Sequence, residues 1–198
     1  MTAHREQWEA RYATGSTPWD TQITPPEVEA FWVSDRLAAA GVALDIGCGP
    51  GTNVRFLGRR GLRAIGFDIA MHPLTTAAVR LVAQEPELAT LCHFAQADVT
   101  VLPIAAGVAN YILDVGCSHG IPAPRRREFA AGIVSALCPG GYYHLYAFDS
   151  VERQDADGQL IGYAAGEVAA LFTPGLELVE ATQASPDPRP CHWYLLRK

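Results

Sequence analysis

From residue 42 onward, short apolar runs of strand length alternate with longer stretches in which apolar residues recur every three or four positions. That order builds a parallel sheet covered by helices on both faces. The first run, residues 42–46, leads into a turn at 47–51 and a helix over about 52–60 that stops at Gly61. A second strand follows at 63–69. Next come a helix over about 73–84, with Pro73 in its first turn where a missing N–H costs nothing, and a third strand at 93–99. The fourth strand spans 108–115. A helix over about 124–137 meets the stop signal Cys138-Pro139-Gly140-Gly141, and the fifth strand covers 142–148. The last third changes character: 149–162 is a polar loop, 165–172 a short helix, and 176–184 with 191–196 an antiparallel hairpin. Its connection, 185–190, contains Pro186, Pro188 and Pro190 and cannot pair within a sheet.

Ahead of the first strand, residues 1–40 carry Trp8, Tyr12, Trp19, Phe31 and Trp32, too apolar for a free tail, and are expected to cover something. The 198 residues, 49% hydrophobic and 18% charged, fit one compact domain. Fifteen basic against 21 acidic side chains leave a net charge of −6, which argues against nucleic acid as a partner. Arg125, Arg126 and Arg127 form a basic run at a helix start, where each charge opposes the helix dipole by about 0.3–1 kcal/mol; it reads as a solvated face. The amino terminus is too charged for a signal peptide. The apolar stretch 101–117 is broken by Pro103, Gly107, Asn110 and Asp114, so neither export nor membrane insertion is expected and the chain reads as cytoplasmic. Five widely spaced cysteines without a C-x-x-C pair read as reduced thiols, and no metal is expected. His72, His93, His144 and His192 show no ligand spacing and read as structural. Oligomeric state is open.

The chemistry concentrates in Asp45-Ile46-Gly47-Cys48-Gly49-Pro50-Gly51-Thr52, a strand entering a glycine turn that opens a helix. Such a turn lets backbone approach a ligand, and its N–H groups favour negative charge. A dinucleotide site requires G-x-G-x-x-G, whereas here Thr52 stands in the sixth position and the third glycine falls one residue early. Asp68 and Asp98, at the expected ends of the second and third strands, put further carboxylates along the edge where open parallel sheets bind ligands.

An acidic residue followed by G-x-G-x-G resembles the first motif of the class I S-adenosylmethionine-dependent methyltransferases. The resemblance implies a Rossmann-like α/β fold, one methyltransferase domain over 1–198 with an amino-terminal lid at 1–40 on a core at 41–198, and S-adenosylmethionine as cofactor. It also implies that Gly47, Gly49, Gly51 and Asp45 hold the methionine half, Asp68 the ribose hydroxyls and Asp98 the adenine amine, with Ile69 and Val99 as apolar walls. The elements Trp8-x-x-Arg11-Tyr12-x-x-Gly15-x-x-Pro18-Trp19-Asp20, Asp114-x-Gly116, Ala147-Phe148-Asp149, the helix 166–172 and Trp193-Tyr194-Leu195-Leu196 resemble the thiopurine and tellurite-resistance methyltransferase group. That group methylates small thiols, halides or chalcogen oxyanions. Asp114 then joins the cofactor-binding set, and Tyr12 and Trp19 close over the sulfonium.

Thiopurine methyltransferases carry Arg where this chain has Val115, which favours a neutral or apolar acceptor. His119, in the loop after the fourth strand, is the expected general base, and Val115, Cys117, Tyr146 and Asp149 are expected acceptor-site residues. The expected reaction is methylation of a thiol or other chalcogen. O- or N-methylation of a small metabolite is the alternative; a nicotinamide-dependent oxidoreductase, disfavoured by Thr52 and the lack of a Tyr-x-x-x-Lys pair, and a silent cofactor-binding regulator lie outside the class.

Overall fold

The computed structural model describes residues 2–149, 161–184 and 190–198. Most of the expected loop at 149–162, and the connection at 185–189, lie outside them. Seven strands, β1 (Val42–Ile46), β2 (Arg63–Asp68), β3 (Cys92–Gln96), β4 (Ala109–Val115), β5 (Leu137–Phe148), β6 (Glu177–Gln183) and β7 (Cys191–Arg197), form one sheet in the order β3-β2-β1-β4-β5-β7-β6. The pairings β1–β2, β2–β3 and β4–β5 are parallel, while β7 runs antiparallel to both β5 and β6. Helices α1 (Thr2–Ala13), α2 (Pro26–Val33), α3 (Thr52–Arg59), α4 (Met71–Gln84), α5 (Arg126–Ala136) and α6 (Glu167–Phe172) complete the mixed α/β architecture expected from the sequence. Among the described residues no helix is long and apolar enough to cross a membrane. The chain forms two compact units, residues 1–99 and 100–198.

In the first unit, α3 packs so closely on β2 that a Cβ on Gly66 would stand 2.7 Å from both Cys48 Sγ and Val54 Cγ2. The amino-terminal segment is two helices, neither anticipated from its scattered aromatics. Pro26 in the first turn starts α2, with Glu27 and Glu29 on the favourable side of its dipole. Helix α4 begins at Met71, two residues before the expected start, and its own N-cap, Ala70, supplies no side-chain bond. Glu9 of α1 takes that part, accepting the Met71 and His72 N–H groups at 2.6 and 3.1 Å. Strand β3 stops at Gln96 rather than Val99, because its partner β2 ends opposite at Asp68 and the ladder has nothing left to pair with. Asp98 therefore lies beyond the strand, and Val99 begins a 3-10 turn, Val99–Val101.

In the second unit, the Pro-Gly-Gly signal interrupts no strand. β5 starts at Leu137 and absorbs it as an irregularity opposite Ala109 and Tyr111, with Gly140 at φ +81°. The arginine run is not a solvated face throughout: Arg126 is 4% exposed. Its guanidinium bonds both carboxylate oxygens of Glu167 at 2.9 Å and donates to the Ile121 carbonyl at 2.9 Å and the His119 carbonyl at 3.5 Å. It also lies 4.7 Å from the Tyr163 ring centroid. One side chain thus joins the loop after β4 to the start of α6. Asp114, fully buried at the end of β4, accepts the Cys117 and Ser118 N–H groups on one oxygen and the Tyr143 hydroxyl on the other. Burial raises its carboxyl pKa, outweighing those hydrogen bonds.

Arg126→Met should cost about 2 kcal/mol by urea denaturation, below the full price of a broken buried pair because Glu167 keeps some water. Adding Glu167→Leu should recover most of that loss; a single variant as stable as the parent contradicts the assignment. Asp114 binds its proton more tightly when folded than the reference 3.8, so its contribution is whole below that pH and shrinks as pH rises through the native value. Asparagine can keep the loop amides on its oxygen and donate to Tyr143 without a charge. The stability difference should therefore move in favour of Asp114→Asn between about pH 4 and about pH 7, and denaturation curves that stay parallel across that range count against it.

Candidate functional site

The turn after β1 is left-handed at Gly47, Gly49 and Gly51, with φ of 69°, 51° and 78°. Side chains disfavour that geometry, and at Gly51 a Cβ would also stand 2.6 Å from Phe94 Cε1. The turn delivers the chain directly into α3, whose first amides have no partner within the helix. Two buried carboxylates accompany it, Asp45 within β1 and Asp68 at the tip of β2. Asp68 accepts the Gly49 N–H at 3.0 Å on one oxygen and the Ala70 N–H at 2.9 Å on the other. Its pKa is raised chiefly by burial, against the pull of those amides, with Glu9 adding a smaller push in the same direction. Ile69 follows Asp68 directly and is half-buried, and its carbonyl accepts the Gln96 side-chain amide.

Helix α1 brings Tyr12 onto this turn: a Cβ at Gly49 would lie 3.1 Å from the Tyr12 hydroxyl. Trp19 donates its indole N–H to that hydroxyl at 3.3 Å and meets the Tyr12 ring edge-on at 5.9 Å. The Arg11 guanidinium stacks on Trp19 at 4.6 Å and on Trp8 at 5.2 Å. Asp20 pairs with Arg80 of α4 at 3.2 Å. Trp19 remains 40% exposed, an apolar surface beside a polar turn. Asp98 and Val99, further along the same unit, are half-buried and buried. No sequence spacing could link Glu9 to a helix start 62 positions away, which is why its docking role was missed.

In the second unit the carboxyl ends of β4 and β5 are joined by the Gly116 N–H on the Tyr146 carbonyl at 3.0 Å. Val115 and Cys117 are half-buried there. His119 lies in a 3-10 turn, Ser118–Gly120, with its ring stacked on Phe148 at 4.3 Å and its Nδ1 accepting the Phe148 N–H at 3.3 Å. Tyr146 donates to Cys191 Sγ at 3.4 Å and packs against Trp193 at 5.1 Å. Asp149 bonds His192 Nδ1 at 3.0 Å. Among the described residues no group of His, Cys, Asp and Glu could hold a metal ion.

The family model described as "Methyltransferase domain" matches residues 43–141. The 2-heptyl-1-hydroxyquinolin-4(1H)-one methyltransferase of Mycobacteroides abscessus is 30% identical over 142 residues, 71% of this chain and 60% of that protein. An uncharacterized methyltransferase of Schizosaccharomyces pombe is 27% identical over 95 residues, 48% of this chain and 62% of that protein. The chain thus spans about six-tenths of the length of these curated relatives. Among solved structures, the Burkholderia thailandensis 1,6-didemethyltoxoflavin-N1-methyltransferase with 1,6-didemethyltoxoflavin and S-adenosylhomocysteine bound superposes with a TM-score of 0.82 at 20% identity, covering 100% of this chain and 88% of that one. A structure concerned with conversion of a disulfide bond into a thioacetal group during echinomycin biosynthesis gives 0.80 at 18% identity, covering 98% and 92%. The glycine turn, Asp68 and the end of β4 all fall inside the matched stretch, and the chain belongs to the methyltransferase domain family.

Proposed function

We propose that the chain transfers the methyl group of S-adenosylmethionine to an uncharged small-molecule nucleophile, a thiol or other chalcogen in the first place. The observation that carries this reading is the cradle at 47–51, three left-handed glycines with a buried carboxylate beneath and a tyrosine hydroxyl above. When bound, S-adenosylmethionine supplies a methyl group already activated by its sulfonium. Asp45 and the glycine turn suit the amino-acid end of that molecule, Asp68 the ribose hydroxyls and Asp98 the adenine amine, with Ile69 and Val99 as walls. The faces of Tyr12 and Trp19 attract a sulfonium by about 0.5–2 kcal/mol. Asp114 contributes by fixing the 117–118 backbone, which it holds from a fully buried position.

Alignment of the nucleophile behind the methyl carbon accounts for up to about 7–11 kcal/mol of such a barrier, and it falls to Val115, Cys117, Tyr146 and Asp149. Two features support an uncharged acceptor: Val115 offers no positive charge, and Arg126 is committed to Glu167. A second reading, O- or N-methylation of an aromatic heterocycle, is favoured by the quinolone named for the Mycobacteroides relative and by the aromatic wall of Tyr146, Phe148 and Trp193. The net charge of −6 supports a small-molecule substrate rather than nucleic acid.

Calorimetry with S-adenosylhomocysteine tests the cofactor assignment. Asp68→Ala should weaken binding about tenfold or more, since charge-assisted bonds contribute about 1.5–3 kcal/mol each. Unchanged affinity in a folded variant removes Asp68 from the site, and heat evolved with NAD but not with S-adenosylhomocysteine overturns the reading.

A further inference from the structure

We propose that Glu9, clamped across the start of α4, makes the ribose end of the cofactor site selective: it admits a nucleoside with free ribose hydroxyls and rejects one that carries a phosphate there. This rests on the methyl-transfer reading above, and every group it invokes belongs to residues 1–99. Three successive amides lead into α4, and carboxylates take all of them. Ala70 donates to Asp68 at 2.9 Å, Met71 to one oxygen of Glu9 at 2.6 Å and His72 to the other at 3.1 Å. Two carboxylates from distant parts of the chain therefore meet on one helix start. Their proximity is felt, since the Glu9 charge adds to the burial that raises the Asp68 carboxyl pKa.

Open amides at the head of a 14-residue helix favour phosphate. In nucleotide-binding α/β folds an acidic side chain suits free ribose hydroxyls, whereas a phosphate on the same ribose is accommodated by a nearby cation. Glu9 removes the first attraction by holding the Met71 and His72 amides with its own two oxygens. The second is missing from α4, whose one arginine, Arg80, sits further along the helix and pairs with Asp20 at 3.2 Å. A phosphate at the 2′ or 3′ oxygen would meet two negative charges at amides already taken. A free hydroxyl donates to Asp68 and meets no such repulsion. Glu9 is half-buried, so water screens its charge only in part. Because Glu9 belongs to α1, the helix that brings Tyr12 onto Gly49 also sets this preference.

The test is calorimetry on the full chain with S-adenosylhomocysteine and with its 2′- and 3′-phosphorylated derivatives. The parent chain should bind both derivatives about a hundredfold more weakly than S-adenosylhomocysteine, the scale of a like-charge clash. Glu9→Gln keeps an oxygen for one amide and drops the charge, and it should narrow that gap about tenfold for the better-bound derivative. Glu9→Ala frees both amides and should narrow it further. The gap is the readout because a loosened α1 weakens every one of these ligands alike. Glu87→Gln, which removes an equal charge beyond the other end of α4, should leave the gap in place. A parent chain that binds a phosphorylated derivative as tightly as S-adenosylhomocysteine, a gap unchanged in both Glu9 variants, or one narrowed as much by Glu87→Gln overturns the proposal and leaves the cofactor reading standing. Absent binding of S-adenosylhomocysteine to the parent chain sinks that reading and the proposal with it.

Discussion

The Asp68 carboxylate draws two backbone amides to itself, Gly49 from the turn after β1 and Ala70 from the approach to α4, and this pair of hydrogen bonds ties the glycine turn to the start of α4. It fixes a loop whose glycines, at positive φ, would otherwise have the widest freedom in the chain. Burial raises the pKa of the carboxyl that does this, so the same group that orders the turn is costly to keep ionised. A ligand bringing hydroxyl donors would relieve that cost.

The amino-terminal helices extend this logic. Glu9 caps α4, Asp20 pairs with Arg80 on the same helix, and the Tyr12 hydroxyl approaches Gly49, so two polar contacts and one close approach set an aromatic cluster against the turn. The second unit uses a different device, a buried polar network. Asp114 and Arg126 direct their hydrogen bonds to loop backbone, Tyr143 and Glu167, and the Asp114–Tyr143 and Gly116–Tyr146 bonds tie the carboxyl ends of β4 and β5 together.

The strand–turn–helix around residues 42–59 was legible because periodicity, glycine spacing and the acidic residues all pointed the same way there. The antiparallel β6–β7 pair was legible from two strand-length runs joined by a proline-bearing connection. What escaped depended on partners distant in sequence. The two amino-terminal helices are set by docking rather than by a strong apolar stripe, Pro139-Gly140-Gly141 is a bulge only because β4 runs beside it, and Arg126 is buried only because Glu167 arrives 41 residues later. Asp98 was placed on a strand that ends sooner, since β3 can extend no further than its neighbour.

The most direct measurement is a backbone amide titration of the nitrogen-15-labelled chain with S-adenosylhomocysteine and, separately, with NAD. The account predicts that S-adenosylhomocysteine moves the Gly47, Gly49, Gly51 and Ala70 resonances together while NAD leaves them in place. Saturation with S-adenosylhomocysteine that leaves those four amides unmoved, or an equal response to NAD, would contradict it.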